Sequence, residues 1–367
     1  FIMELKDFIC KAPFEDFMVF DSETWFCCPD WMELESAPQI ESHDNLESVW
    51  FSELSSEIRK SILEGEYKYC SKQRCPYLSK IVNSSKEELD RKHKSKYTHT
   101  EYFEMFYKKD IFLKKYRLDN YEWRIHPSLI YFNFDLSCNY QCPSCRLETI
   151  RNKKDDRVTN IIKSINKQFA KTVNTIHVTG SGDPFYSNAF RQYLQKFDPT
   201  KYPELQNIFL STNGSLWNKK MWNSMKSIHP YVKVAEVSID AATQDTYENK
   251  TRINGNWNKL LDNLKFIAKL NLNSITLSFV VQDYNVNEIV KFKNLIRSIF
   301  EGTKYTIMYR SIQDWKHQSK EWYKKRNVAD PSHPLHGTLL KQLTELGNAD
   351  FIQHNMWHLF KEEKSLI

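Results

Sequence analysis

Six short apolar runs limit what this chain can fold into. They read "LIYFNFDLS" (129 to 137), "NTIHVTG" (174 to 180), "NIFLST" (207 to 212), "VKVAEVSID" (232 to 240), "SITLSFVVQ" (274 to 282) and "KYTIMYR" (304 to 310), with helical patterns between them. In the clearest helix, "WNKLLDNLKFIAKL", Leu260, Leu261, Leu264, Ile267 and Ala268 line one face. Near-continuous apolar strands alternating with helices predict an α/β fold, a parallel sheet covered by helices. Such a sheet either lies open or curls into part or all of a barrel.

In that architecture ligands gather at the carboxyl ends of the strands, where the strand-to-helix loops converge. The informative polar residues sit there. Cys138 follows the first run, "GSGDP" (180 to 184) the second and "TNG" (212 to 214) the third, while Ser238 and Asp240 close the fourth.

Cys138, Cys142 and Cys145 lie within "FDLSCNYQCPSCRLE", and none of the remaining 222 residues is a cysteine. No apolar run approaches the roughly 18 residues that span a bilayer, so no membrane is expected. With no signal-peptide pattern at the start, a reducing cytoplasm is the expected compartment, although a chain beginning at Phe1 leaves room for a leader or module upstream. Eight cysteines there suggest metal before disulfide. A structural zinc or iron-sulfur site takes four protein ligands, so three leave one position open, as a catalytic site does. The competing readings are zinc with His126 or His177 as fourth ligand, and unrelated core cysteines. The spacing of three then two residues is unusual for zinc knuckles and favours an iron-sulfur cluster.

"CNYQCPSC" reads C-x3-C-x2-C and resembles the signature of the radical S-adenosylmethionine (SAM) enzymes. "GSGDP" is similar to that family's glycine-rich second-strand motif, and "VSIDAATQDTYENKTRINGNW" to its fourth-strand segment; the resemblance covers about residues 128 to 310. It implies a partial (β/α)6 TIM-type barrel with a 4Fe-4S cluster on Cys138, Cys142 and Cys145. It further implies that the open iron chelates SAM, and that one electron from a flavodoxin- or ferredoxin-type donor yields a 5′-deoxyadenosyl radical that abstracts hydrogen from substrate. By the same resemblance the backbone of Gly180, Ser181, Gly182 and Asp183 meets the cofactor's amino group. Ser238 and Arg252 hold its carboxylate, and Asp240 with the Thr212–Asn213 turn lies near the ribose. Arg252 read without the resemblance is a surface helix residue. Ser144 departs from relatives that carry an aromatic before the last cysteine, and Tyr140 is the candidate substitute.

Residues 1 to 80 hold the other five cysteines, Cys10, Cys27, Cys28, Cys70 and Cys75, and carry 8 Lys/Arg against 16 Asp/Glu. "CKAPFEDFMVFDSETWFCCPDW" followed by "YKYCSKQRCPYL" resembles the auxiliary-cluster domain called SPASM, or its shorter twitch form. Ser22 takes the position of a turn glycine five residues before the next cysteine, which selects Cys27. The resemblance therefore implies a second 4Fe-4S cluster on Cys10, Cys27, Cys70 and Cys75, with Cys28 a structural bystander. Two departures stand out: relatives carry this domain after the barrel, and here it supplies ligands for one auxiliary cluster rather than two. A structural zinc on the same four thiolates is the alternative. An auxiliary cluster would accept an electron from the substrate radical, making the net reaction an oxidation, or would relay electrons, or would staple the domain and shape the substrate cavity. The amphipathic pattern Trp50, Leu54, Ile58 and Ile62 predicts a helix in this region, ending before Gly65.

The expected domains are thus 1–80 (auxiliary cluster), 81–127 (charged connector), 128–310 (barrel) and 311–367 (helical extension or lid). Within residues 84 to 118, 10 Lys/Arg face 6 Asp/Glu, a pattern that reads as a solvated connector docking on the acidic lobe, with nucleic acid the less favoured partner. "HPLHGTLLKQL" reads as the capped start of a helix, and His354 and His358 follow it. The chain reads as a radical enzyme of oxidoreductase type acting on a small polar or sugar-like molecule. The runner-up is modification of a ribosomally made peptide, and the third reading is a nucleic-acid-binding metal protein without radical chemistry.

Overall fold

The computed structural model of the chain describes residues 5–40, 42–83, 105–117, 123–152, 156–270, 272–315, 317–346, 351–353 and 356. Most of the basic stretch, together with His354 and His358, lies outside the described residues. Contacts divide the chain into two compact units: one of residues 1–134, 155–176 and 200–205, the other of residues 135–154, 177–199 and 206–367. These units interleave along the chain.

In the first unit β1 (Phe8–Cys10) pairs antiparallel with a later strand, Phe106–Lys108. Next come β2 (Asp16–Val19) and β3 (Thr24–Trp25), an antiparallel hairpin. With Phe106–Lys108 as β4, β5 (Leu129–Phe132) lies parallel to β2. Phe17 packs between Phe26, Trp50 and Phe169, with ring centroids 6.0, 5.2 and 5.8 Å away. The helix expected around Trp50 is two helices, Leu46–Trp50 and Glu53–Leu63, because the Ser52 side chain caps the second by accepting from the Ser55 amide at 3.3 Å. That restart shifts the buried stripe from Leu54 onto Ser55, Ile58, Arg59 and Ile62. Arg59 is buried with its guanidinium 4.3 Å from the centre of the Trp50 ring, a cation–π contact.

The chain boundary between units falls within β6 (Thr175–Val178). In the second unit β7 (Asn207–Thr212), β8 (Val234–Ser238), β9 (Ser274–Val281), β10 (Tyr305–Ser311) and β11 (Phe351–Gln353) run side by side in chain order, every neighbouring pair parallel. The fold is α/β with a parallel sheet, as expected for a partial barrel, and β5 to β10 are the six strands read from the sequence.

Burial alternates residue by residue along β7 and β8, and in β9 and β10 it is broken by the buried triplets Leu277–Phe279 and Ile307–Tyr309. Ile208, Leu210, Ala235, Val237, Ile275, Leu277, Ile307 and Tyr309 are buried, while Ser211, Glu236, Ser238, Thr276 and Arg310 are half-buried. One face is therefore core. Phe292 of the helix Ile289–Ile299 lies 4.8 Å from Phe279 and 6.2 Å from Tyr309, ring to ring. The other, half-buried face carries Ser211, Glu236, Ser238, Thr276 and Arg310 alongside apolar Phe209 and Val234. Among the described residues no helix is long and apolar enough to cross a membrane.

Candidate functional site

The loop after β5 carries Cys138, Cys142 and Cys145, and backbone hydrogen bonds fix it at three places. The Cys138 amide donates to the Ile150 carbonyl at 2.8 Å, the Gln141 amide to Ile253 at 3.1 Å, and the Cys145 amide back to Cys142 at 2.8 Å. Each sulfur then accepts from a different side chain. Asn213 Nδ2 donates to Cys138 Sγ at 3.6 Å, Arg252 Nη1 to Cys142 Sγ at 3.4 Å, and Arg146 Nη2 to Cys145 Sγ at 3.4 Å. Burial, with the Asp183 charge adding to it, pushes the Cys138 thiol up to about 12, and Arg146 opposes the shift. Burial also raises Cys142, against the pull of Arg252. Ligation by a metal centre would remove these protons.

Gly180, Ser181, Gly182 and Asp183 form the turn after β6. The amides of Ser181 and Gly182 donate to Thr179 Oγ1 at 3.0 and 3.1 Å, and that of Asp183 to the Ser137 carbonyl at 2.9 Å. Only glycine fits at 182, since a Cβ would stand 2.4 Å from the Asp135 carbonyl oxygen and 2.8 Å from that of Ser137. The Asp183 carboxylate is fully buried and accepts four hydrogen bonds: Phe185 N at 3.0 Å and Tyr186 N at 3.1 Å on Oδ1, Thr212 Oγ1 at 2.7 Å and Asn213 N at 3.0 Å on Oδ2. It binds the second-strand turn to the Thr212–Asn213 turn, and Asn213 is the residue that reaches Cys138.

Ser238 ends β8, with Oγ 3.2 Å from Ser278 Oγ. Asp240 follows in a left-handed conformation, φ +63°, its Oδ1 accepting from Val280 N at 2.7 Å and its Oδ2 paired with Arg252 Nη2 at 2.6 Å. Arg252 is not a surface residue, for its side chain is 11 % exposed and lies between the Asp240 carboxylate and the Cys142 sulfur. Tyr140 is not on a free surface either; it is 2 % exposed, and its hydroxyl is 2.9 Å from that of buried Tyr247. Arg146 was not singled out from the sequence, although its place directly after Cys145 was the available signal. Beyond the barrel strands, Gln318 Nε2 donates to the Pro143 carbonyl in the cysteine loop at 3.1 Å. His333 Nε2 and His336 Nδ1 lie 3.0 Å from the Lys325 and Val328 carbonyls, consistent with helix-start roles before His336–Leu346.

In the first unit Cys10 ends β1, the β2–β3 hairpin precedes Cys27, and Cys70 and Cys75 precede the helix Pro76–Asn83. Ser22 in the hairpin has no positive φ, so the turn makes no demand for glycine. Burial raises the Cys27 thiol well above its ordinary value, and Cys10, Cys75, Cys28 and Cys70 add to it electrostatically. Cys28 is raised to about 11 by burial and is opposed by backbone donors at Asp30 and Trp31. Among the described residues no three His, Cys, Asp or Glu side chains converge closely enough to grip a single metal ion; a four-iron cluster holds its thiolates farther apart than one ion does.

Residues 133–296 match the family model described as the Radical SAM superfamily. No curated protein matches. Among solved structures the chain is similar to a radical SAM methyltransferase from Sphaerobacter thermophilus, at 15 % identity over 51 % of this chain and 57 % of that one, with a TM-score of 0.36. The chain thus spans little more than half that protein's length.

Proposed function

We propose that this chain, whose residues 133–296 match the Radical SAM superfamily model, uses Cys138, Cys142 and Cys145 to hold a 4Fe-4S cluster that binds SAM. The observation that carries this reading is the one donor on each of the three sulfurs. Hydrogen bonds to sulfur stabilise thiolates bound to iron, so the donor set fits a cluster. Such a group, when bound, supplies the electron that cleaves the sulfonium of SAM and releases a carbon-centred radical. The chain's own residues bind and orient. The amides of Ser181, Gly182 and Asp183 already donate within the protein, so this turn would receive the amino group of SAM on its carbonyl oxygens. Arg252 and Ser238 would receive the carboxylate, with Asp240 and the Thr212–Asn213 turn beside the ribose.

The half-buried residues Ser211, Glu236 and Thr276 stand side by side across β7, β8 and β9, and Arg310 ion-pairs with Glu236, so this face offers both donors and acceptors, which supports a small polar or sugar-like substrate. A second cluster on Cys10, Cys27, Cys70 and Cys75 rests on the resemblance of this segment to the auxiliary-cluster domain, with structural zinc as its alternative. Protein reconstituted anaerobically, reduced with dithionite and supplied with SAM should release 5′-deoxyadenosine, while a Cys138→Ala, Cys142→Ala, Cys145→Ala variant should not. Equal yields from both would sink the assignment. Iron, sulfide and zinc analysis tests the second site, since one cluster's worth of iron plus one zinc would assign it to zinc.

A further inference from the structure

Two guanidinium groups touch the cysteine sulfurs, and their surroundings differ. Arg252 is ion-paired with Asp240 at 2.6 Å, so its charge is largely cancelled before it reaches Cys142. Arg146 is 9 % exposed and spends its other hydrogen bonds on carbonyls: Nη1 on Leu136 O at 2.6 Å and Nη2 on Ser181 O. No carboxylate among the described residues forms an ion pair with it. A buried cation without a counter-charge is costly, and the Cys145 sulfur it touches belongs to the three-cysteine set that would gather negative charge on ligation.

We infer that Arg146 is a positioning residue that acts as the counter-ion of the SAM-binding cluster and sets its reduction potential, an inference that rests on the cluster assignment above. One-electron reduction by an external low-potential donor would place one electron on the iron-sulfur centre that Cys138, Cys142 and Cys145 would hold, making it one charge more negative; the donor alone is oxidised, and no proton need move. A fixed cation at hydrogen-bond distance from Cys145 Sγ favours the more negative state. At an effective dielectric constant of about 20 and a mean separation of about 6 Å, that preference exceeds a factor of ten in the equilibrium constant. The two carbonyl contacts give the effect its geometry, since they hold the fork between Leu136 and Ser181 and prevent it from swinging into solvent. Arg146 thus couples the ends of two strand loops to the ease with which the centre accepts an electron.

The test is a dye-mediated redox titration of the reconstituted full chain, followed by electron paramagnetic resonance, with iron and sulfide measured on every sample. In Arg146→Gln at wild-type iron content the equilibrium constant for reduction should fall at least tenfold, about 59 mV for a one-electron couple. Arg146→Lys keeps the charge and loses the fork, and should recover more than half of that shift. The inference is overturned if the Gln variant keeps the wild-type potential, or if the Lys variant falls as far as Gln. Should Gln fail to retain iron, Lys decides alone: a potential near wild type at full iron supports the counter-ion, and a tenfold fall refutes it. A wild type without a reducible cluster defeats the cluster assignment itself, whereas an intact cluster with an unmoved potential defeats only this inference.

Discussion

Asp183→Asn isolates the carboxylate that binds two strand-end turns together. Both carboxylate oxygens accept two hydrogen bonds, all from donors in the turns after β6 and β7. An asparagine oxygen placed at Oδ1 would keep Phe185 N and Tyr186 N. Its amide would then face Thr212 Oγ1, which can rotate to accept, and Asn213 N, which cannot. One buried backbone donor is left unsatisfied, at about 1–3 kcal/mol, and the retained bonds lose their charge assistance, about 1 kcal/mol more. The sum is about 2–4 kcal/mol, read as a melting temperature lowered by about 5–10 °C and a lower urea midpoint at unchanged slope. Because Asn213 also reaches Cys138, the variant should hold the proposed cluster less tightly. Loss of under about 1 kcal/mol would refute the clamp; so would unchanged stability with SAM binding abolished, which would mean that the carboxylate serves the ligand and not the fold.

Gly182→Ala should force the turn away from residues 135–137, because the new Cβ would sit 2.4 Å from a backbone oxygen; a loss of about 2–3 kcal/mol in chemical denaturation is expected. Tyr140→Phe should cost about 1–2 kcal/mol by leaving the buried Tyr247 hydroxyl without its partner, while Tyr140→Phe with Tyr247→Phe should cost less than the sum of the single changes, as a double-mutant cycle would show. Burial lowers His177 to about 4, below its ordinary 6.5. The folded chain therefore binds fewer protons there than the unfolded chain, and stability present above about pH 6.5 is lost as pH falls towards about 4. His177→Gln should flatten that limb of the stability-versus-pH curve, and an unaltered limb would assign it to other groups.

The strands were legible because β-branched and aromatic runs have few other uses; "NIFLST" coincides with β7 from Asn207 to Thr212. Alternation was harder to see. Residues such as Phe209 and Val234 are apolar yet stand on the half-buried face, so the runs read as buried on both sides. The Trp50 helix was misphased because a capping serine looks like any other polar residue until the Ser55 amide is seen to meet it. Spacing marked the cysteine loop, and the strand-end rule marked its neighbourhood. The hydrogen-bond partners could not be read that way: nothing in "CRLE" says that the arginine folds back onto its own cysteine, or that Arg252, 110 residues from Cys142, reaches that sulfur.

The parity of the strands has an evolutionary consequence. Along β7 and β8 the buried positions and the half-buried positions are interleaved one by one, so mutations at 211 and 236 draw on a different account from those at 210 and 235. A lineage built on this scaffold can exchange what it recognises while its foldability is conserved under separate selection. Randomised pools at the two sets should diverge accordingly, with the first remaining soluble and the second largely lost.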